Sequence, residues 1–308
     1  MKLYRDLDSL KRAGQTTRVV TVGAYDGLHL GHQEILRQLA EIGRSVGLST
    51  LVMSFEPMPK EFFSPSNPPA RLTRFRERLD LLAGFGVDEF FCPRFGSIRD
   101  LSPDAFIRDL LVDGLSANQV VVGHDFRFAS HRLGSLDDLN AAGREGGFEV
   151  TTIPAVYLDE ERVSSTVIRA ALQTGDLDTA RRMLGRDYSM SGTVIRGLGL
   201  GCNLGFPTAN VNLNRRVTPV DGIFAARVSG IGGEVLDGVA SVGTRPTVGG
   251  VKPLLEVFIF GFDRDIYGEY ITVHFIKRLR EERKYSDVDS MVEQMHRDVV
   301  DARAVLAA

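Results

Sequence analysis

The chain has 308 residues, 43% hydrophobic and 25% charged, with a formal net charge of -3, a pI near 6.1 and a mean hydropathy of -0.04. That length suggests two domains, the apolar-to-charged balance excludes a fibrous or disordered chain, and the mildly acidic pI leaves no polybasic field for a nucleic-acid partner. Two cysteines without CxxC spacing, Cys92 and Cys202, exclude a disulfide framework or a cysteine zinc site, and the absence of an apolar leader or spanning run predicts a cytoplasmic protein with no membrane partner.

From residue 17 to about 185, short apolar runs alternate with helix-like segments. RVVTVG (18–23) reads as a buried strand, and Gln33 to Val46 as an amphipathic helix with Ile35, Leu36, Leu39 and Ile42 on one stripe. LSTLVMSF (48–55) is a second strand, RFRERLDLLAGFG (74–86) a helix closed by glycine, and VDEFFCP (87–93) a third strand. SPDAFIRDLL (102–111) opens with a serine cap and a proline at the first helical position, and NQVVVG (118–123) and GFEVTTIPAV (147–156) bring the strands to about five. This alternation predicts a parallel sheet with helices on both faces.

After two helical segments, 164–175 and 176–185, the pattern changes: from Tyr188 to His274 short strands follow one another across glycine-rich turns. YSMSGTVI, FAARVSG, VLDGVASVG, LLEVFIF and EYITVHF predict a small antiparallel barrel, closed off by a helix from Asp287 to Ala304 whose Val288, Met291, Val292, Met295, Val299 and Val300 face a core. The expected organisation is an α/β domain over 1–186 and a β-barrel domain with a C-terminal helix over 187–308.

GAYDGLHLGH (23–32) ends the first strand and opens the first helix near Gly31, so its loop lies above the carboxyl edge of the sheet, where ligands of open α/β folds bind. Free N–H groups and the helix dipole there suit an anion, and His29 and His32 add donors. The spacing is neither GxGxxG nor the Walker loop. A plain turn with capping histidines is the competing reading; a metal pair lacks a third ligand at helical spacing. SSTVIR (164–169) reads as a second phosphate clamp, with Ser164, Ser165 and Thr166 at a helix start and Arg169 one turn in, or as an ordinary cap. Asp125, Phe126, Arg127 and Phe128 follow a strand and meet either a nucleotide or flavin ring, or, for the phenylalanines, the core.

In the second domain FPTAN sets Thr208 and Asn210 at i, i+2; if extended, they present two neutral oxygens to one hard cation. Glu256, between Leu255 and Val257, is a solvent-facing residue or an aimed general base, and taken alone the solvent face is favoured. GLGLGCN (197–203), with Gly201 and Asn203, could cover phosphates through backbone N–H groups.

GAYDGLHLGH resembles the signature of the HxGH nucleotidylyltransferases. Together with SFEPMP (54–59), RLT (71–73), VVGHDFRF (121–128), SSTVIR, LGFPTAN (204–210), VGTRPT (242–247), LEVFIF (255–260), IYG (266–268) and RLREERKY (278–285), it is similar to the prokaryotic bifunctional riboflavin kinase/FMN adenylyltransferases over nearly the whole chain. The resemblance implies a nucleotidylyltransferase-type first domain that transfers AMP from ATP to FMN, with His29 and His32 stabilising charge on the phosphates. Gly23, Tyr25, Asp26 and Gly31 would belong to the same nucleotide site. It also implies a second domain that phosphorylates riboflavin, with Thr208 and Asn210 on Mg2+ and Glu256 taking the proton of the 5′-hydroxyl. Riboflavin, FMN, ATP and FAD are the implied small-molecule partners; a homo-oligomer is left open. The chain departs from the family at Cys202, where arginine is usual, and at Ala129, where glycine is usual. Those departures motivate two alternatives: one silent module, or a flavin- or nucleotide-binding regulator on the same scaffold.

Overall fold

A computed structural model of the chain describes residues 1–14, 16–197, 201, 204–247 and 250–308. Contacts divide it into two units, Met1–Pro69 with Phe75–Val163, and Ala70–Arg74 with Ser164–Ala308.

The first unit is a six-stranded parallel sheet: β1 (Lys2–Tyr4), β2 (Arg18–Val22), β3 (Ser49–Met53), β4 (Glu89–Phe91), β5 (Ala117–Gly123) and β6 (Glu149–Ile153), in the order β1-β4-β3-β2-β5-β6. The helices between them are α1 (Leu7–Arg12), α2 (Leu30–Val46), α3 (Pro59–Phe63), α4 (Phe75–Gly84), α5 (Pro103–Ala105, running on as a π-wound Phe106–Val112) and α6 (Leu136–Gly146); a short hairpin, β7 (Tyr157–Leu158) and β8 (Glu161–Arg162), follows. β1 adds a sixth strand to the five expected, a three-residue edge too short and polar to show a period. The β2 run is buried at every position because successive side chains enter two cores. Val20 and Val22 join Leu51, Phe91 and Val120 on one face, while Val19 joins Leu36, Leu39 and Phe90 on the other. The chain leaves β2 toward β3 and later returns to β5 on the other side. The reversal opens a crevice at the carboxyl ends of β2 and β5, the general ligand position of such sheets.

The second unit opens with α7 (Ser165–Thr174) and α8 (Leu177–Leu184). The barrel strands are β9 (Tyr188–Ile195), β10 (Thr208–Asn212), β11 (Gly222–Ile231), β12 (Glu234–Thr247), β13 (Gly250–Ile259) and β14 (Tyr270–Arg280). They close in the order β10-β13-β12-β11-β14-β9, sealed by antiparallel pairing of β9 with β10. β10 is the strand that the five sequence candidates lacked. Thr208 and Asn210, at its start, are polar residues that line a cavity, which hides the apolar alternation of a strand. Inside the barrel lie Val211, Phe224, Ala240, Leu255, Val257 and Phe275, all essentially buried.

α9 (Val288–Leu306) packs on the outer wall, where Ala302 and Leu306 meet Ala225 and the half-buried Val239 and Ile276. The expected orientation of this helix needs correction, since Val288 is 55% and Val300 65% exposed. The stripe is narrower than the valine pattern implies, because the helix covers a convex surface along one line. Contacts group α7 and α8 with the barrel strands, in the unit that resumes at Ser164.

Candidate functional site

The first candidate site sits at the start of α2. The helix begins at Leu30, next to the start expected near Gly31 and three residues before the amphipathic stretch read from Gln33, and His29 is its N-cap, the Nδ1 accepting from the backbone N–H of His32 at 3.4 Å. Acceptance at Nδ1 requires the His29 proton to be on Nε2, which leaves a donor on the ring's far side. The two imidazoles stack with centroids 3.7 Å apart and an interplanar angle of 17°. Gly31 is within the first turn, and a Cβ there would lie 3.3 Å from the His29 ring. Burial, and then the neighbouring His29, push the His32 pKa well below its ordinary value, so the ring is neutral. Its Nδ1 is buried and has no hydrogen-bond partner among the described residues. The neutral His32 ring and the N–H groups at the start of α2 suit phosphate oxygens.

The preceding loop is tightly held. Gly23 ends the β2 run with its Cα against the Tyr25 ring, and Tyr25 adopts φ 51° with its hydroxyl 2.6 Å from Thr21 Oγ1. Burial raises the Tyr25 pKa, offset in part by the Thr21 bond. Asp26 and His29 are buried polar groups in the same turn. Arg78, fully buried on α4, donates to Ala24 O at 2.9 Å, to Ser54 Oγ at 3.1 Å and to Glu56 Oε2 at 3.2 Å, tying this loop to the one after β3. Sequence reasoning passed over Arg78. Its signal is a lone arginine on the stripe Phe75, Arg78, Leu79, Leu82 that otherwise faces the core.

β5 delivers the second loop to the crevice. Asp125 pairs with Arg162 at 2.5 Å, and although burial pushes its carboxyl up, Arg162 more than offsets this and lowers it overall. Arg162, also unforeseen, is on β8. Phe128 belongs to the core, stacked on half-buried Phe126 with centroids 5.5 Å apart, while Arg127 is exposed. SSTVIR falls in the second unit. Ser164 caps α7 through its bond from Val167 N, Ser165 and Thr166 open the helix, and Arg169 donates to Ala70 O at 2.6 Å and to Ser165 O at 3.1 Å.

The second candidate site is a cavity of about 450 Å³ between α9 and the outer faces of β10, β13 and β12. Thr208 and Asn210 share its β10 wall, Asn210 directly opposite Glu256, which on its other side faces Ser241. Leu255 and Val257 point into the barrel, so Glu256 turns toward the cavity, half-buried. Gly201 contributes to the rim; Cys202 and Asn203 lie outside the described residues. Ser241, Arg280, Glu282, Tyr285 and Asp298 also line the cavity and were not singled out from sequence. Glu282 sits against Gly243, whose missing side chain leaves it room, and its pKa is raised by burial first, then by Asp221 and Glu256. Among the described residues no cluster of three His, Cys, Asp or Glu side chains could hold a metal. The neutral oxygens of Thr208 and Asn210 would suit a magnesium ion whose other ligands come from ATP phosphates.

Two family models match the chain, FAD synthetase over residues 11–167 and riboflavin kinase over residues 184–306. The chain belongs to the bifunctional riboflavin kinase/FMN adenylyltransferase family. It is similar to the enzyme of that name from Escherichia coli (strain K12), 43% identical over 98% of this chain and 97% of the relative. The namesake from Haemophilus influenzae is 39% identical over 99% of both. A solved structure described as a macrolide-efflux protein from Streptococcus pneumoniae matches with a TM-score of 0.81 and 30% identity over 98% of each chain. Among the described residues no helix is long and apolar enough to cross a membrane. The chain is thus an enzyme of flavin cofactor synthesis, with kinase and nucleotidyltransferase activities, and its substrates follow as riboflavin, FMN and ATP.

Proposed function

We propose that the two reactions are divided between the two candidate sites: riboflavin is phosphorylated in the cavity beneath α9, and FMN is adenylylated at the start of α2. The observation that carries the kinase half is the direct pairing of Asn210 with Glu256 on one cavity wall. It sets a carboxylate beside the neutral oxygens that hold the metal–nucleotide, where it takes the proton as the riboflavin 5′-oxygen attacks the γ-phosphate and ADP leaves. Magnesium bound by Thr208 and Asn210 would neutralise charge on the phosphates. Gly201 belongs to the same proposal as a rim group near the nucleotide, and Asn203 is retained as a nucleotide-binding residue on the resemblance alone.

In the adenylylation, an FMN phosphate oxygen attacks the α-phosphate of ATP and pyrophosphate departs. His29 and His32 donate to the phosphates as charge builds, an electrostatic role that needs no covalent intermediate. The unpartnered Nδ1 of His32 supports this reading, since a phosphate or its water would complete it. Tyr25 and Gly31 set the rings, Gly23 and Asp26 shape the turn, and Asp125 with Phe126 and Arg127 borders the crevice. Phe128 supports Phe126 from the core. Ser164, Ser165, Thr166 and Arg169 are retained as nucleotide-contacting groups on the resemblance. The same proposal includes a cytoplasmic location and no nucleic-acid or membrane partner, supported by cysteine usage and net charge.

Product analysis after incubation with riboflavin, ATP and magnesium tests the division. Glu256→Gln is expected to lower FMN formation by about 100- to 10,000-fold while FAD formation from supplied FMN stays normal. His29→Ala with His32→Ala is expected to do the reverse, by about 100-fold or more. Loss of both activities in either variant would refute separate sites.

A further inference from the structure

α9 joins a core cluster toward its C-terminal end, at Ala302 and Leu306. Its preceding turns direct Met291, Met295 and Val299 at the cavity. The cavity beneath them leaves their height above the strands to be set by the His296–Phe206 contact, centroids 4.9 Å apart, together with polar contacts between α9 and the barrel. Arg280, the last residue of β14, pairs in a two-pronged fork with Asp298 of α9: Nε to Oδ1 at 2.8 Å and Nη2 to Oδ2 at 2.7 Å. Asp298 is 4% exposed and also accepts from Gln294 Nε2 at 3.0 Å.

An arginine lining a nucleotide-using cavity is by default a phosphate ligand. Here each guanidinium nitrogen already donates within the protein, Nη1 going to Glu281 O at 2.9 Å. A buried ion pair also contributes little net stability compared with apolar groups of the same volume. What a forked pair supplies is a fixed distance and angle between the elements that carry it.

We propose that the Arg280–Asp298 pair consists of positioning residues that set the height of the α9 wall above the strand bearing Glu256, and so determine how tightly the ring of the phosphoryl acceptor is held. The inference rests on the reading of this cavity as the kinase site. The apolar wall faces the ring of riboflavin while the polar β10 wall faces the metal–nucleotide, so disturbing the pair weakens one substrate selectively.

The test is steady-state kinetics of full-length Asp298→Asn, which keeps the side chain's shape and removes its charge. Riboflavin KM is expected to rise about tenfold, with KM for ATP and kcat at saturation within about twofold, and FAD formation from supplied FMN unchanged. Arg280→Lys, which keeps the charge and loses the fork, should shift riboflavin KM in the same direction by less. If Asp298→Asn lacks a cooperative unfolding transition, Gln294→Ala, which removes one donor to Asp298, is expected to raise riboflavin KM about two- to threefold. KM values for riboflavin and ATP rising together, or an unchanged riboflavin KM in a folded variant, overturns the proposal. Glu256→Gln separates the two claims: normal FMN formation in that variant removes the cavity reading itself, whereas an inactive Glu256→Gln with unaltered riboflavin KM in Asp298→Asn removes only the positioning role.

Discussion

Ala129 holds φ 64° and ψ -174°, a region costing an L side chain about 1–3 kcal/mol and one that glycine enters freely. The family pattern that the sequence resembles has glycine at this position, the residue this backbone conformation suits. Ala129→Gly is expected to stabilise the first unit by about 1 kcal/mol, since relief of the strain exceeds the loss of one half-buried methyl. A higher urea midpoint with an unchanged slope would show it; an unchanged or lower midpoint would mean the neighbouring turn has already absorbed the strain. His29 illustrates another residue-scale point. One imidazole both caps a helix and presents a donor, so the capping and phosphate readings of the motif are the same geometry.

At the scale of elements, α2 carries a titration signature. His32 is held neutral at the helix start while its unfolded counterpart has the ordinary value of 6.5. Above that pH both states are neutral and the group contributes no pH dependence. Below it the unfolded chain binds a proton that the folded one refuses, so stability falls as pH drops, down to the lowered folded value. Thermal midpoints measured between pH 7.5 and 5.5 should show a fall in the first unit that is shallower in His32→Gln; equal slopes would mean His32 is not the group responsible. The elements themselves were largely legible. β2, β5 and β9 show in the sequence because continuous or alternating apolar runs report burial directly. β1 is too short to carry a period, β10 is disguised by the polar residues of its site, and the outward Val288 and Val300 of α9 follow from a contact line narrower than the valine pattern. Arg78 and Asp298 were invisible for a related reason. A buried charge is recognised by its partner, and those partners, Ala24 and Arg280, are distant in sequence.

For the whole molecule, the division after Val163 has a measurable consequence. Leu177, Ala180, Met183 and Leu184 of α8 are buried, and this helix contacts β9 and β14. We propose that a riboflavin kinase fragment beginning at Ser164 is more stable than one beginning at Asp187, by several kcal/mol, at about 1.5–3 kcal/mol for each large apolar side chain whose packing is lost. Both fragments lack Ala70–Arg74, so that deficit cancels in the comparison. Equal thermal midpoints would place the functional boundary near 186 after all. The sequence by itself determined the fold class, because periodicity is a local property of the chain, and it carried the resemblance to the family in motifs such as HxGH, which is what put Glu256 forward as a candidate base. Only the tertiary structure decided that Glu256 faces a cavity rather than solvent, that Phe128 is core, and that Arg280 is forked onto Asp298. Those are facts about which distant residues become neighbours, and burial and partnership exist only once the chain has closed on itself.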